Sequence, residues 1–152
     1  VSDLNKMRET EGEKLAVTLK GFVDNIEKIV DEISAYAPGV VDEYRNKLKA
    51  RISEALADVA LDESKLANEV CFFADKSNID EELARLKSHI AQIRQIFKEK
   101  DQIGRKLDFL VQEFNREANT ICSKSNNIAL TNLALSLKNE IEKVREQIQN
   151  VE

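Results

Sequence analysis

The fold of this 152-residue chain is decided by one stretch, Gly104–Ser125, with the sequence GRKLDFLVQEFNREANTICSKS. Its apolar residues recur at three- and four-residue steps, as on one face of a helix: Leu107, Leu110, Val111, Phe114, Ala118 and Ile121. No alternating apolar and polar pattern, which is typical of strands, appears here or elsewhere in the chain. The stretch therefore predicts an amphipathic helix in an all-α fold.

Polar side chains border that apolar stripe on both sides, at about 100° per residue. One flank carries a carboxylate and three amides: Asp108, Gln112, Asn115 and Asn119. The other flank carries two carboxylates and a hydroxyl: Glu113, Glu117 and Thr120. Ordinary surface helices are rich in Lys, Glu and Ala instead. Two interpretations stay open from the pattern alone, a functional surface and a helix whose polar groups cap its neighbours.

Composition favours a mostly helical protein. Hydrophobic residues make up 42% and charged residues 34% of the chain, with only four Gly and one Pro. No apolar run approaches the ~20 residues that span a bilayer. The chain begins at Val1, already in helix-like sequence, so we expect it to be the carboxyl-terminal part of a longer protein.

The first 61 residues predict a pair of long helices. Near-heptad apolar spacing from Leu4 to Tyr36 predicts one helix, which Pro38 is expected to end. The same period resumes after Pro38, and so short a link favours an antiparallel hairpin. We therefore expect residues 1–61 to form a long helical hairpin and residues 62–152 a compact helical body within one domain. The apolar stripes exceed what so small a body can cover, which predicts self-association.

Further helices are predicted after Asp62, Asp80 and Asn127, where apolar stripes resume. Asp62 and Asp80 are suited to the N-cap position, since their carboxylates can accept bonds from the first backbone N–H groups.

Charge is unevenly distributed along the chain. Residues 83–127 hold nine Lys and Arg against five acids, a net charge of +4, which leaves −9 for the rest of a chain whose net charge is −5. A polyanionic partner can therefore bind the middle of the chain while the remainder repels it.

A second polar cluster is predicted on the helix that begins near Asp80. Glu82, Arg85 and His89 occupy positions i, i+3 and i+7, beside the apolar stripe. His89 is the single histidine, and such a residue is often structural, but it can also act as a general base or a metal ligand. Carboxylates and imidazole suit Mg²⁺ or Mn²⁺, ions that activate water and neutralise phosphate in phosphodiester cleavage.

Several blocks together carry a family resemblance that covers nearly the whole chain. They are Arg8-x-x-Glu11-Gly12-x-x-Leu15, Ala74-Asp75-Lys76, Ile79–His89, Gly104–Ser125 and Lys138–Glu152. In this order they resemble the carboxyl-terminal domain of the YicC/YloC-like bacterial endoribonuclease family. Cys122 departs from the pattern, since Gly or Ala is expected at that position.

The resemblance implies a cytoplasmic, metal-dependent endoribonuclease whose copies assemble as a ring, expected to be a homohexamer that closes around RNA. It implies Mn²⁺ or Mg²⁺ as the cofactor, RNA as the partner and no membrane association. It also implies an amino-terminal domain before Val1, without which the chain is expected to be inactive if cleavage needs both parts.

Site residues follow from the two polar helices, which are consecutive and should pack antiparallel. Catalytic roles are predicted for His89, Glu113 and Glu117. Metal ligation is predicted for Glu82, Asp108, Glu113 and Glu117. Contacts with RNA phosphates are predicted for Arg85, Arg105, Arg116 and Lys124.

Three alternatives to this catalytic interpretation remain open. The chain can be an RNA-clamping module without chemistry of its own, or a purely structural oligomerisation domain. The acids can also form an ion-pair network, Glu82–Arg85 and Glu113–Arg116/Glu117, that only locks the helices together.

Overall fold

The computed structural model describes residues 2–56, 60–99 and 103–150, with side chains from residue 14 onward except residue 103. Within these ranges the chain forms six helices and no strand, which confirms the predicted all-α class. The helices are α1 (Ser2–Tyr36), α2 (Pro38–Ala55), α3 (Glu63–Ser77), α4 (Asp80–Ile96), α5 (Ile103–Lys124) and α6 (Ile128–Gln149). No helix in the described ranges combines the length and the apolar character needed to cross a membrane.

Four helices, α1, α4, α5 and α6, form the main hydrophobic core. α5 lies between α4 and α6, while α1 packs chiefly along α6 and also contacts α4. All six apolar positions predicted for α5 are buried. Full burial of a side chain such as Phe114 or Leu110 contributes about 1.5–3 kcal/mol, so this stripe anchors α5 in the core.

The joint between α1 and α2 differs from the predicted hairpin. Ala37 is the only residue between the two helices, and its φ of −55° and ψ of −40° are helical. Pro38 occupies the first turn of α2, where its missing N–H costs no hydrogen bond. A reversal of the chain needs a loop of about 2–5 residues. The chain is therefore kinked at Pro38 rather than folded back.

Packing agrees with a kink. α2 contacts α3 more than it contacts α1, and Val40 is the buried residue of α2. The apolar stripe of α1 is instead buried in the main core from Leu19 to Ile33. The apolar positions predicted at Leu4 and Met7 fall outside the described side chains. The division of the chain at residue 61 depended on the hairpin, and it stays a prediction.

A polar cluster of Tyr36, Glu43 and Asn127 lies at this joint. Asn127 caps α6 by accepting from the Leu130 N–H at 3.1 Å, and its Nδ2 donates to Glu43 Oε2 at 3.1 Å. The Tyr36 hydroxyl lies 3.1 Å from Asn127 Oδ1 and 3.3 Å from Glu43 Oε2. The hydrogen bond from Lys47 to Glu43 is the main cause that lowers the pKa of the Glu43 carboxyl. The cluster thus connects α1, α2 and the start of α6.

The helix starts follow local capping chemistry. Asp62 caps α3 as predicted, because its Oδ1 accepts from the N–H groups of Ser64 and Lys65 at 3.1 and 3.2 Å. Asp80 is the first residue of α4 rather than its cap, and its own N–H donates to Asn78 Oδ1 at 2.9 Å. Its carboxylate still lies in an acidic first turn, where the helix dipole favours negative charge.

Candidate metal centre

The α4–α5 interface carries a line of polar contacts beside its apolar core, which we call the polar seam. Its pairs are Glu82–Lys124 and Arg85–Glu117, followed by Glu99–Lys106, in which Glu99 lies just beyond the end of α4. Residue numbers fall along α5 as they rise along α4, so the two helices run antiparallel, as the sequence predicted. The seam therefore collects the polar flanks of both helices along one line.

Three potential metal ligands meet in the middle of the polar seam. One ligand atom each from His89, Glu113 and Glu117 lies within 4.8 Å of the other two. His89 comes from α4, whereas Glu113 and Glu117 are one turn apart on the same face of α5. His89 and Glu113 are half-buried and Glu117 is 2% exposed. We call this group the acidic triad.

The His89 ring is held in place but is not satisfied by hydrogen bonds. Phe114 packs edge-on against it, with ring centroids 5.9 Å apart and an interplanar angle of 72°. Both ring nitrogens are buried and have no hydrogen-bond partner within the described part of the chain. An unpaired buried polar group costs about 1–3 kcal/mol and needs an explanation. A bound cation would supply the missing partner for one nitrogen.

The charge balance of the acidic triad also fits a cation. Glu117 has one ion-pair partner in the described ranges, Arg85, whose Nη1 lies 3.6 Å from Glu117 Oε2. The same guanidinium is shared with Glu81 at 3.2 Å and is half-exposed. Two neighbouring carboxylates repel each other, and one shared, exposed Arg offsets only part of that repulsion. Two carboxylates and one imidazole form a donor set that Mn²⁺ accepts readily and Mg²⁺ accepts through its oxygens.

Glu82 lies at the end of the polar seam, apart from the acidic triad. It precedes His89 by seven residues, about 10 Å along the axis of α4. Its Oε1 accepts from Lys124 Nζ at 2.8 Å, and Lys124 also donates to the Asn78 carbonyl at 3.0 Å. Glu82 Oε2 is buried without a partner in the described ranges. The structure thus pairs Lys124, a predicted RNA contact, with a predicted metal ligand.

The remaining predicted site residues are more dispersed. Asp108 is half-buried, and five residues of helix place it about 140° around α5 from Glu113, on the other flank. Arg105 and Arg116 are exposed on α5. The structure therefore groups His89, Glu113 and Glu117, places Arg85 beside them, and leaves Glu82 and Asp108 outside the group. The roles of all these residues stay predictions.

Sequence reasoning missed two features of this interface. The Glu82–Lys124 pair joins residues 42 positions apart, and only the register of two antiparallel helices reveals it. Phe109 continues the apolar composition of α5, yet it is 62% exposed. At about 100° per residue, Phe109 lies roughly 150° from the centre of the apolar stripe, and that angle was the available signal.

Comparison with known proteins identifies the family. Residues 33–152 match the family described as "Endoribonuclease YicC-like, C-terminal". The chain belongs to this family. The match contains every residue of the acidic triad and confirms the resemblance found in the sequence.

Two curated relatives show how far the similarity extends. The chain is 51% identical over 150 residues to the "Probable endoribonuclease YicC" of Clostridioides difficile, which covers 98% of the chain and 51% of that protein. It is 39% identical over 152 residues to the protein of the same name from Haemophilus influenzae, which covers 100% of the chain and 52% of that protein. The chain thus spans about half the length of these relatives.

Proposed function

We propose that this chain is the carboxyl-terminal part of a divalent-metal-dependent endoribonuclease, with its metal centre at the acidic triad. The observation that carries the proposal is the His89 ring, whose buried nitrogens have no hydrogen-bond partner in the described ranges and which lies beside two carboxylates in the polar seam. The family match and the names of the two relatives supply the reaction class, cleavage of RNA.

Glu113 and Glu117 would hold the ion through carboxylate oxygens, with His89 as the nitrogen ligand. When bound, Mn²⁺ or Mg²⁺ supplies activation of a water molecule and polarisation of a phosphoryl oxygen. Burial fixes Glu117, and Phe114 fixes the plane of the His89 ring, so these two ligands are preorganised.

Other side chains of the chain are proposed to bind the RNA substrate. Arg85 beside Glu117 presents a planar guanidinium suited to a phosphate, and Arg105 and Arg116 add exposed positive charge on α5. The second nitrogen of His89 can hold or accept a proton at the reacting oxygen. Glu82 and Asp108 are proposed as further metal-binding acids, and Lys124 as a phosphate contact beyond Glu82.

Assembly is part of the proposal. We propose a cytoplasmic homo-oligomer, a hexameric ring that closes around RNA, as the resemblance implies. Exposed large apolar side chains in the described ranges support contacts between copies, among them Val17, Leu56 and Ile128.

A second candidate is an RNA-clamping or oligomerisation module whose chemistry is performed by another part of the protein. It is favoured by one observation, that the chain spans only half of its relatives.

The test uses the full-length protein that contains this chain, freed of metal and incubated with structured RNA. We expect cleavage with Mn²⁺ or Mg²⁺ and none with chelator. Glu117→Gln and Glu113→Gln should each lower the cleavage rate about 100-fold or more, because each removes a charged ligand. Calorimetry should show weakened Mn²⁺ binding, while circular dichroism stays unchanged.

Glu146→Gln, an exposed change on α6, is the matched control and should leave the cleavage rate and the Mn²⁺ affinity unchanged. Normal cleavage by the two triad variants, or cleavage by the wild type in chelator, would contradict the metal centre. RNA binding without cleavage under any metal would favour the clamping module.

A further inference from the structure

A shallow cavity of about 290 Å³ lies between α4 and α5, beside the polar seam. Its walls combine apolar, amide and cationic side chains: Gln92, Ile96, Arg105, Lys106, Phe109 and Leu110. Phe109 is 62% exposed on one wall. A single exposed aromatic residue is ordinary on a protein surface, so the role of Phe109 must be inferred from its position and its neighbours.

The position of this cavity is fixed by the helical register. Gln92 follows His89 by three residues on α4, and Phe109 precedes Glu113 by four residues on α5. Residues three and four apart are neighbours on a helix surface. Because the cavity and the acidic triad are each formed by the same two helices, the cavity adjoins the triad, about 6 Å further along α5.

The chemistry of the walls favours a nucleotide over an apolar helix. Arg105 is exposed one turn beyond Phe109, and Lys106 lies beside it in an ion pair with Glu99 at 2.6 Å. An aromatic face stacks on any base, a glutamine amide can bond to a base edge, and a guanidinium pairs with phosphate. A cavity of this volume also accommodates a single base more readily than the side of a second helix.

We propose that Phe109, Gln92 and Arg105 form a subsite for one unpaired RNA nucleotide next to the phosphodiester at the acidic triad. The inference rests on the proposed function and specifies its substrate as single-stranded at this position. Phe109 stacks on the base, Gln92 meets the base edge, and Arg105 binds the phosphate on the far side. Phosphate contacts alone cannot provide this preference for an unpaired base.

The test measures equilibrium binding of short single-stranded RNA by the full-length protein in chelator, where the proposed reaction is switched off. A series of oligonucleotides is compared in which a single abasic nucleotide occupies each position in turn. For wild type, we expect one abasic position to weaken binding about 10-fold, the size typical of base stacking on an aromatic residue. Phe109→Ala should bind the intact RNA about 10-fold more weakly and lose that positional sensitivity.

Two further variants control the experiment. Phe109→Tyr keeps an aromatic face and should retain the abasic sensitivity. Phe72→Ala removes another exposed phenylalanine, 58% exposed on α3, and should retain it as well. Circular dichroism and light scattering of each variant monitor folding and assembly.

The outcomes separate this subsite from the metal centre. Equal abasic sensitivity in wild type and Phe109→Ala would overturn the subsite even if Mn²⁺-dependent cleavage is normal. A change of oligomeric state in Phe109→Ala with unchanged abasic sensitivity would assign Phe109 to a contact between copies and also overturn it. Absence of Mn²⁺-dependent cleavage by wild type would instead reject the proposed function.

Discussion

The α1–α6 interface and the α4–α5 interface belong to one bundle but are built from different side chains. The buried side chains described in α1 and α6 are all apolar, and a polar contact such as Asn25–Glu140 at 3.4 Å lies at their exposed edge. The two charged residues among the described buried side chains, Glu82 and Glu117, both lie at the α4–α5 interface. His89 adds two unpaired nitrogens there.

The comparison of the two interfaces separates the side chains that the fold requires from those that it only accommodates. Burying a carboxylate costs several kcal/mol unless partners compensate it, and an apolar interface of equal size has no such cost. The described part of the α1–α6 interface shows that helices of this bundle can pack without fully buried charged residues. The charges of the polar seam are therefore not required for the helices to pack, which supports our proposal that they bind an ion and RNA.

The largest effect on stability is expected in the apolar interface. Ile141 of α6 is fully buried, so Ile141→Ala leaves a cavity and should lower the free energy of unfolding by about 2–5 kcal/mol. Urea denaturation followed by circular dichroism measures the change. Leu135→Ala, on the exposed side of the same helix, should change it by less than about 0.5 kcal/mol. Equal effects of the two variants would show that burial of α6 in the main core is not the main source of stability.

A smaller effect is expected at the end of the polar seam. Lys124→Met removes the partner of Glu82 and should cost about 1–3 kcal/mol, less than for a fully buried pair because Lys124 is partly exposed. Glu82→Met removes the buried charge itself and should be close to neutral, or stabilising. The same denaturation experiment compares the two variants. A larger loss for Glu82→Met than for Lys124→Met would mean that the pair stabilises the fold.

For one variant of the acidic triad we expect a gain in stability. His89→Leu removes two unpaired buried nitrogens and should raise the free energy of unfolding by about 1 kcal/mol. The same variant should lose the rise in melting temperature that Mn²⁺ gives to the wild type, because only a bound ion stabilises the folded state by mass action. A destabilised His89→Leu that still responds to Mn²⁺ would assign His89 to the fold.

The smallest effect on stability is expected at the partly buried joint where α1, α2 and the start of α6 meet. The pKa of Glu43 is lowered, first by its hydrogen bond from Lys47, so its stabilising contribution is present above the unfolded pKa and is lost as the pH falls through the folded pKa. Wild type should therefore be more stable than Glu43→Gln near pH 7. The urea midpoints of the two proteins, measured from pH 7 to pH 3, should converge as the pH falls. A difference between the midpoints that persists at pH 3 would indicate a cause other than the charge of Glu43.

Periodicity predicted which side chains are buried better than it predicted what they pack against. Every apolar position of the Gly104–Ser125 stripe is buried, because a 3.6-residue period depends only on helix geometry. The structure differs from the predicted hairpin of α1 and α2, because Pro38 was expected to end the first helix and to reverse the chain. Proline in a first turn instead lets a helical Ala37 carry the chain onward with a kink.

For the site, the sequence predicted the meeting of His89 with Glu113 and Glu117, because both polar flanks lie near the middle of consecutive helices. It did not predict that Lys124 would be paired with Glu82, since an ion pair across two helices depends on their axial register. The metal-binding role of Asp108 stays a prediction, because helical periodicity places this residue about 140° around α5 from Glu113, on the other flank.

The contact between α1 and α6 has a consequence for the order of folding during synthesis. Asn25 and Glu140, which bond across it, are 115 positions apart in the chain. At about 5–20 residues per second, translation delivers Glu140 roughly 6–23 s after Asn25. Until then, the apolar stripe of α1 lacks its principal partner and remains accessible to chaperones. We therefore expect the nascent chain to be most prone to aggregate just before α6 leaves the ribosome.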